Sequence, residues 1–249
     1  MSLGQHLIEL RKRLFRAALA VLVGAVAGWF VADFIWSQLR SPILAIATKH
    51  NATINYTSIT GAFDVHMQLA ITAGLVLSSP VWLYQIFAFL VPGLTKREKR
   101  YTFGFFFTAV PLFFAGCAAG WFVFPHIVEL MAGFVPSQDA SFFDAKYYLD
   151  FVLKLVLVTG VAFVLPVFLV LLNFVGVLQG RTILKGWRWA ILAITVFTAI
   201  ATPAADVASM FLLAAPMVVL YFGAVGIALL HDRSAAKRTA AFEAEAGLA

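Results

Sequence analysis

The sequence predicts an all-α polytopic membrane protein whose transmembrane helices are kinked and form a concave bundle. Composition is the first observation behind this fold class: the chain is 62% hydrophobic and only 12% charged, whereas a soluble domain carries about 25% charged residues. The second observation is that the apolar residues form runs close to the roughly 20 residues that a helix needs to cross a bilayer. We therefore expect one membrane domain over residues 1–249.

Six apolar runs each predict one transmembrane helix, at about 17–36, 67–91, 102–125, 151–175, 188–201 and 207–230. We expect the fifth and sixth spans to be short. The fifth lies between Arg188 and the Thr202-Pro203 break. It is therefore either strongly tilted in a locally thinned bilayer or does not cross completely.

Prolines inside the runs predict kinks, at Pro80, Pro111, Pro166 and Pro216. Each proline removes a backbone hydrogen bond and tends to bend its helix. Kinked helices favour a curved bundle, which is why a concave face is expected.

The two long outer connections, at about 37–66 and 126–150, contain aromatic and helix-compatible residues and are predicted to cap the outer end.

Basic residues gather on one side of the predicted bundle. An even number of spans places both termini, including a tail at 232–249, on the same side. That side carries Arg11, Lys12, Arg13, Arg16, Lys96, Arg97, Lys99, Arg100, Arg181, Lys185, Arg188, Arg233, Lys237 and Arg238, and the other carries only Arg40, Lys49, Lys146 and Lys154. The positive-inside rule then predicts that both termini are cytoplasmic.

The net charge, the absent motifs and the single cysteine argue against several classes of function. The net charge of +6 follows from the topological bias, so a nucleic-acid partner is not expected. The sequence has no glycine-rich nucleotide loop and no HExxH or CxxC spacing for a metal. The single cysteine, Cys117, cannot form a disulfide within the chain. We expect neither a metal, a cofactor nor an enzymatic centre.

Two basic segments, Arg11–Arg16 and Lys96–Arg100, are each accompanied by one carboxylate, Glu9 and Glu98 respectively. Two acids at one membrane face suit a ligand with two guanidinium groups, because a carboxylate binds arginine, but not lysine, in a bidentate manner. Each acid also has a structural interpretation. Glu9 can pair with Arg13 one helical turn away, and Glu98 can relieve repulsion within its own cluster.

Four stretches carry a more specific resemblance: HLIELRKRL at 6–14, SPI at 41–43, SSPVWLYQIFAFLVPGLTKREKR at 78–100 and TPAADVASMFLLAAPM at 202–217. In these stretches the chain resembles the TatC family, the multispanning subunit of the twin-arginine (Tat) protein translocase. The resemblance extends over all the predicted spans. It implies a single TatC-like domain in the cytoplasmic (inner) membrane.

The resemblance implies a core receptor subunit that binds the twin-arginine motif of signal peptides on folded cargo. The implied signal-peptide site comprises Glu9, Glu98, Leu10, Arg11, Arg13 and Phe89, with Gln85 as a candidate polar neighbour one turn from Phe89. For Phe89, an aromatic side chain that faces lipid or a neighbouring helix is the alternative. Implied partners are single-span subunits of the TatA and TatB types, other TatC copies and the lipid bilayer, and export would use the proton motive force.

Three further positions bear on the family pattern. Pro42 either shapes the outer cap or is a simple turn proline, and Asp206 is either a partner contact or the N-cap of the sixth span. Many family members carry an acid or amide in the fourth span, where this chain has Val164. A buried polar residue in a membrane is costly and usually functional, so this contact is not carried over.

A small-molecule or ion secondary transporter is the competing interpretation. Transporters place ionisable residues or unwound helices near the bilayer midplane. Here the centres of the predicted spans are almost free of ionisable residues, and the two acids of the basic segments lie at one interface.

Overall fold

The computed structural model describes residues 3–50, 53–90, 96–134, 142–202 and 207–245. Within these ranges the chain forms α1 (Leu3–His50), β1 (Thr53–Asn55), α2 (Gly61–Leu77), α3 (Ser79–Leu90), α4 (Lys96–Ala132), β2 (Phe142–Asp144), α5 (Ala145–Phe174), α6 (Gly180–Lys185), α7 (Trp187–Ala201) and α8 (Val207–Glu245). The prediction of an all-α polytopic membrane protein is confirmed.

Four helices, α1, α4, α5 and α8, contain a stretch long and apolar enough to cross a membrane. Helices α2 and α3 pass the same test only together, as one span bent by 55°. Helix α7 is apolar but has only 15 residues, as expected of the fifth predicted span. Helix α8 has 39 residues and continues past the end of the sixth predicted span, because its alanine-rich continuation favours helix.

The bend between α2 and α3 lies at the predicted Pro80. Ser78 ends α2, and its carbonyl accepts hydrogen bonds from the backbone N–H groups of Val81 and Trp82. The Trp82 indole N–H donates to the Leu75 carbonyl at 2.9 Å. This bond helps to satisfy a backbone acceptor at the end of α2, which would otherwise be costly in a membrane. The other three predicted prolines lie within helices that continue past them.

Helix α1 extends well beyond the bilayer. Its 48 residues span about 72 Å at 1.5 Å per residue, more than twice the roughly 30 Å of hydrocarbon. Pro42 lies within this continuous helix, so its interpretation as a turn proline is wrong.

The two outer connections meet where β1 and β2 pair in parallel, with Ile54 opposite Phe143.

Helix α5 is the central element of the bundle. Its apolar stretch is 61% buried, whereas that of α1 is only 11% buried. Val164 lies in the main hydrophobic core. A carboxylate at this position would therefore be enclosed by apolar side chains, and its replacement by valine suits the packing.

Glycines allow α1 and α2 to pack with their backbones in contact. A Cβ atom added at Gly24 would lie 2.5 Å from the Gly74 carbonyl oxygen, and one added at Gly28 would lie 2.3 Å from the carbonyl oxygen of Ala70. Gly116, on α4, makes a similar approach to α5. Small residues four apart are a recurrent device for close helix packing in membranes. Gly24 with Gly28 and Gly116 with Gly120 are two such pairs, and neither was predicted as a packing contact.

We expect Asp144→Ala to lower the melting temperature at pH 7, with a difference from wild type that shrinks under acid conditions. Asp144 caps α5 by accepting from the N–H groups of Lys146 and Tyr147, and it accepts a 2.6 Å hydrogen bond from the Thr57 hydroxyl. The Thr57 and Tyr147 hydrogen bonds lower the pKa of Asp144 below its ordinary value. The ionised form therefore stabilises the fold above about pH 4, and this contribution is lost as the pH falls through the lowered pKa.

Melting curves in detergent between pH 7 and pH 3 would measure this effect. Glu129→Ala, which removes an exposed acid of α4, is the matched control. A melting difference that is the same at both pH values would contradict a role for the ionised cap.

Candidate functional site

The first turns of α1 place Glu9 and Arg13 side by side. Arg13 donates to Glu9 Oε1 from Nε at 3.0 Å and from Nη2 at 2.6 Å. Glu9 and Arg13 are 22% and 21% exposed, so water screens this ion pair only partly. The helical pair that the spacing allows is therefore present. It leaves open what the second carboxylate oxygen does.

Helix α3 also contacts this pair. Arg13 Nη1 lies 3.5 Å from Gln85 Oε1, at the outer limit of a hydrogen bond. One turn further along α3, the ring of Phe89 stacks on His6 with centroids 4.4 Å apart. Two predicted residues of α3 thus touch the start of α1. His6 was not among the predicted site residues, although it lies one turn before Glu9 on the same face.

The second oxygen of Glu9, Oε2, is buried and has no hydrogen-bond partner among the residues that the structure describes. A buried acceptor left without a donor costs about 1–3 kcal/mol, and more when it is charged. Glu9 therefore has one oxygen bound by Arg13 and one without a partner among the described residues.

An apolar groove of about 640 Å³ runs along α1 beside the bend between α2 and α3. It is lined by Leu10, Arg13, Leu14, Ala17, Ala18, Val21, Leu22, Leu75, Trp82, Gln85, Ile86 and Phe89. From Leu10 to Leu22 the groove follows α1 for about 18 Å. Apart from the Trp82 indole N–H, which is used within the fold, its polar side chains are Arg13 and Gln85.

The structure brings together most, but not all, of the predicted site. Leu10, Arg13, Gln85 and Phe89 line one groove, and Glu9 is paired with Arg13. Arg11 is exposed and is not part of the lining.

Two predicted residues fall outside what the structure describes. The backbone of Glu98 lies in the first turn of α4, but the structure does not describe its side chain. Asp206 lies outside the described residues. The predicted pairing of Glu9 with Glu98 therefore stays a prediction.

Residues 5–216 match the family described as Sec-independent protein translocase protein (TatC). The chain belongs to the TatC family. It is 46% identical to the TatC protein of Xylanimonas cellulosilytica, over 96% of this chain and 88% of that protein. It is also 34% identical to the TatCy protein of Bacillus subtilis, over 97% of this chain and 94% of that protein.

Solved structures agree with this assignment. Two crystal structures of the twin-arginine translocase receptor TatC, one of them in DDM, match with TM-scores of 0.73 and 0.76. Each is 29% identical and covers 90% of this chain, which in turn covers 98% and 99% of the two. Proteins of the TatC family are components of a protein translocase and are not enzymes. Membership confirms the predicted multi-pass membrane protein and replaces the interpretation as a small-molecule transporter.

Proposed function

We propose that this chain is the receptor subunit of the translocase and binds the twin-arginine motif of signal peptides at the start of α1. The observation that carries the proposal is the buried Glu9 Oε2, which has no partner among the described residues. An arginine guanidinium from a ligand fits this position, because a charge-assisted hydrogen bond to a carboxylate is strong and directional. Glu98 receives the second guanidinium in this scheme, as the family resemblance implies.

The shape of the groove supports the same ligand. A signal peptide has a positively charged segment followed by about 7–15 apolar residues, which as a helix are about 10–22 Å long. The groove offers the same order, with the Glu9–Arg13 pair at one end and apolar walls beyond it. The apolar segment of the peptide therefore lies against Val21, Leu22 and Ile86.

Arg13 acts as a positioning residue in this scheme. Its two hydrogen bonds to Oε1 hold the carboxylate in one orientation and so fix the position of Oε2. Gln85 supports Arg13 from α3. Arg11 and the other basic residues nearby attract anionic headgroups at about 1 kcal/mol each and discourage the binding of a single cation.

Orientation and partners complete the proposal. Both termini lie in the cytoplasm of a cell with the chain in its inner membrane, as the distribution of basic residues predicts. The exposed apolar faces of α1 and of α7 and α8 contact lipid, TatA and TatB type subunits and other TatC copies. Export is driven by the proton motive force. With Val164 in the core, partner helices dock without a polar contact from this position.

We expect wild-type protein in nanodiscs to bind an Arg-Arg signal peptide at least about tenfold more tightly than the Lys-Lys version of the same peptide. Both peptides carry the same charge, but a planar guanidinium can direct two N–H groups at one carboxylate oxygen, as Arg13 does at Oε1, in a fixed geometry that an ammonium lacks. About 1.4 kcal/mol corresponds to tenfold in affinity. The double variant Glu9→Ala with Glu98→Ala should lose this preference. Fluorescence anisotropy of labelled peptides would measure the affinities.

Glu129→Ala provides the control, since it removes an exposed acid from the distant part of α4 and should keep the preference. Equal affinity of the two peptides for wild type would refute the bidentate site. It would leave only bulk electrostatic attraction.

A further inference from the structure

A second polar cluster lies where α5 ends, away from Glu9 and from the apolar groove along α1. The carboxylate of Asp232, on α8, accepts from Asn173 Nδ2 at 2.8 Å and from the backbone N–H of Gly180 at 2.7 Å. Asn173 Nδ2 also donates to the Leu178 carbonyl at 2.9 Å. His231 Nδ1 lies 3.2 Å from Asn173 Oδ1. Asp232 thus connects the end of α5 and the start of α6 to α8.

This cluster is internally satisfied, so it is not itself a ligand site. Each oxygen of the Asp232 carboxylate accepts one hydrogen bond from within the chain. The His231 ring is stacked on Phe174 with centroids 3.9 Å apart. The cluster is partly buried, and it holds the residues that follow it in place because a hydrogen-bond network is rigid when its members are paired.

Two arginines follow the cluster directly in the sequence. Arg181 comes after Gly180, and Arg233 comes after Asp232. Both line one cavity of about 470 Å³ between α6 and α8, together with Gln179, Leu229, Asp232, Ala235 and Ala236. Among the described residues, neither guanidinium takes part in an ion pair. With two cations against the single carboxylate of Asp232, the cavity keeps a net positive charge.

We propose that this cavity binds the phosphate of an anionic phospholipid. Arginine is suited to this group because its planar guanidinium matches phosphate oxygens in a bidentate manner. Basic pockets between membrane helices on the cytoplasmic side are a recurrent headgroup site. The volume falls within the roughly 300–1,000 Å³ of small-ligand pockets.

A lipid, and not only free phosphate, is favoured by the surface beside the cavity. Leu229 forms part of its wall, and Leu230, the next residue of α8, is exposed. Acyl chains that extend from the headgroup would cover these apolar side chains. A free anion would leave them without a partner from the ligand. The proposal does not depend on the signal-peptide site.

Native mass spectrometry of delipidated protein with added lipid would test the proposal. We expect wild type to retain phosphatidylglycerol at least about tenfold more strongly than phosphatidylcholine, and Arg181→Gln with Arg233→Gln to lose this preference. The matched control is Lys185→Gln with Arg188→Gln, which removes the same charge from exposed residues outside the cavity lining. It should behave as wild type. Melting curves of both double variants would show that each is folded.

Two results would overturn the proposal. Equal loss of preference in the two double variants would mean that lipid responds only to the total charge. Displacement of phosphatidylglycerol from wild type by an equimolar concentration of inorganic phosphate would identify a general anion site without lipid specificity. Retention of phosphatidylglycerol in the presence of phosphate, with loss only in the cavity variant, would support the lipid site.

Discussion

Glu9→Gln is expected to weaken the binding of an Arg-Arg signal peptide by at least about 30-fold. The substitution keeps the size of the side chain but removes the charge that a guanidinium requires. Truncating one partner of a buried charge pair costs about 2–5 kcal/mol, and 2 kcal/mol corresponds to roughly 30-fold in affinity. The effect should be large here because Glu9 is only 22% exposed and its Oε2 is buried. Peptide titration in nanodiscs would give the affinity.

Arg13 provides an internal test of the same prediction. If Arg13 acts by holding the carboxylate, Arg13→Gln should weaken binding in wild type but have little further effect once Glu9→Gln is present. Such non-additivity is typical of residues that act as one unit. Additive losses would mean that Arg13 contacts the peptide independently of Glu9. Wild-type affinity in Glu9→Gln itself would show that Glu9 serves the helix and not the ligand.

Gly74→Ala should destabilise the protein strongly, although alanine is the better helix former. A Cβ atom at this position would lie 2.3 Å from the backbone nitrogen of Ala25 and 2.5 Å from its Cα. Neither atom can move without shifting α1. Overpacking typically costs about 1–3 kcal/mol, and for a protein of this size each kcal/mol lowers the melting temperature by about 2–4 °C. We expect a decrease of about 2–12 °C in detergent.

Gly223→Ala is the matched control on α8, where an added Cβ would meet no atom within 4 Å. There the intrinsic preference for alanine, about 1 kcal/mol, should leave the melting temperature unchanged or slightly raised. If both variants melted alike, the close contact between α1 and α2 would not contribute to stability. Because α1 forms one wall of the groove, Gly74→Ala should also weaken peptide binding.

The apolar runs of the sequence were sufficient to predict the membrane class. A bilayer requires long apolar helices whose backbone groups are satisfied internally, and this requirement is local to each run. The short α7 follows for the same reason, because Arg188 and the Thr202-Pro203 break bound it in the sequence. The length of α8 did not follow, because hydropathy marks the end of a span and not the end of a helix.

For the candidate site, too, some features follow from the local sequence and others only from how the helices pack. The resemblance to the family implied Glu9, Arg13 and Phe89 as site residues, with Gln85 as a candidate neighbour, and the helical repeat predicted the pairing of Glu9 with Arg13. The contact of Arg13 with Gln85 joins residues 72 positions apart, and it depends on how α1 crosses α3. Glycines also allow α1 to touch α2, the helix that leads into α3.

The sequence by itself thus determined the membrane class, the family and the residue types of the site. The tertiary structure decided which oxygen of Glu9 is fixed and which is buried without a described partner, and it formed the apolar groove beside the pair. It also placed Arg181 and Arg233 at one cavity through hydrogen bonds of Asp232 with Asn173 and Gly180. These features arise where separate helices meet, and the periodicity of a single helix carries no information about the angle or depth of such a contact.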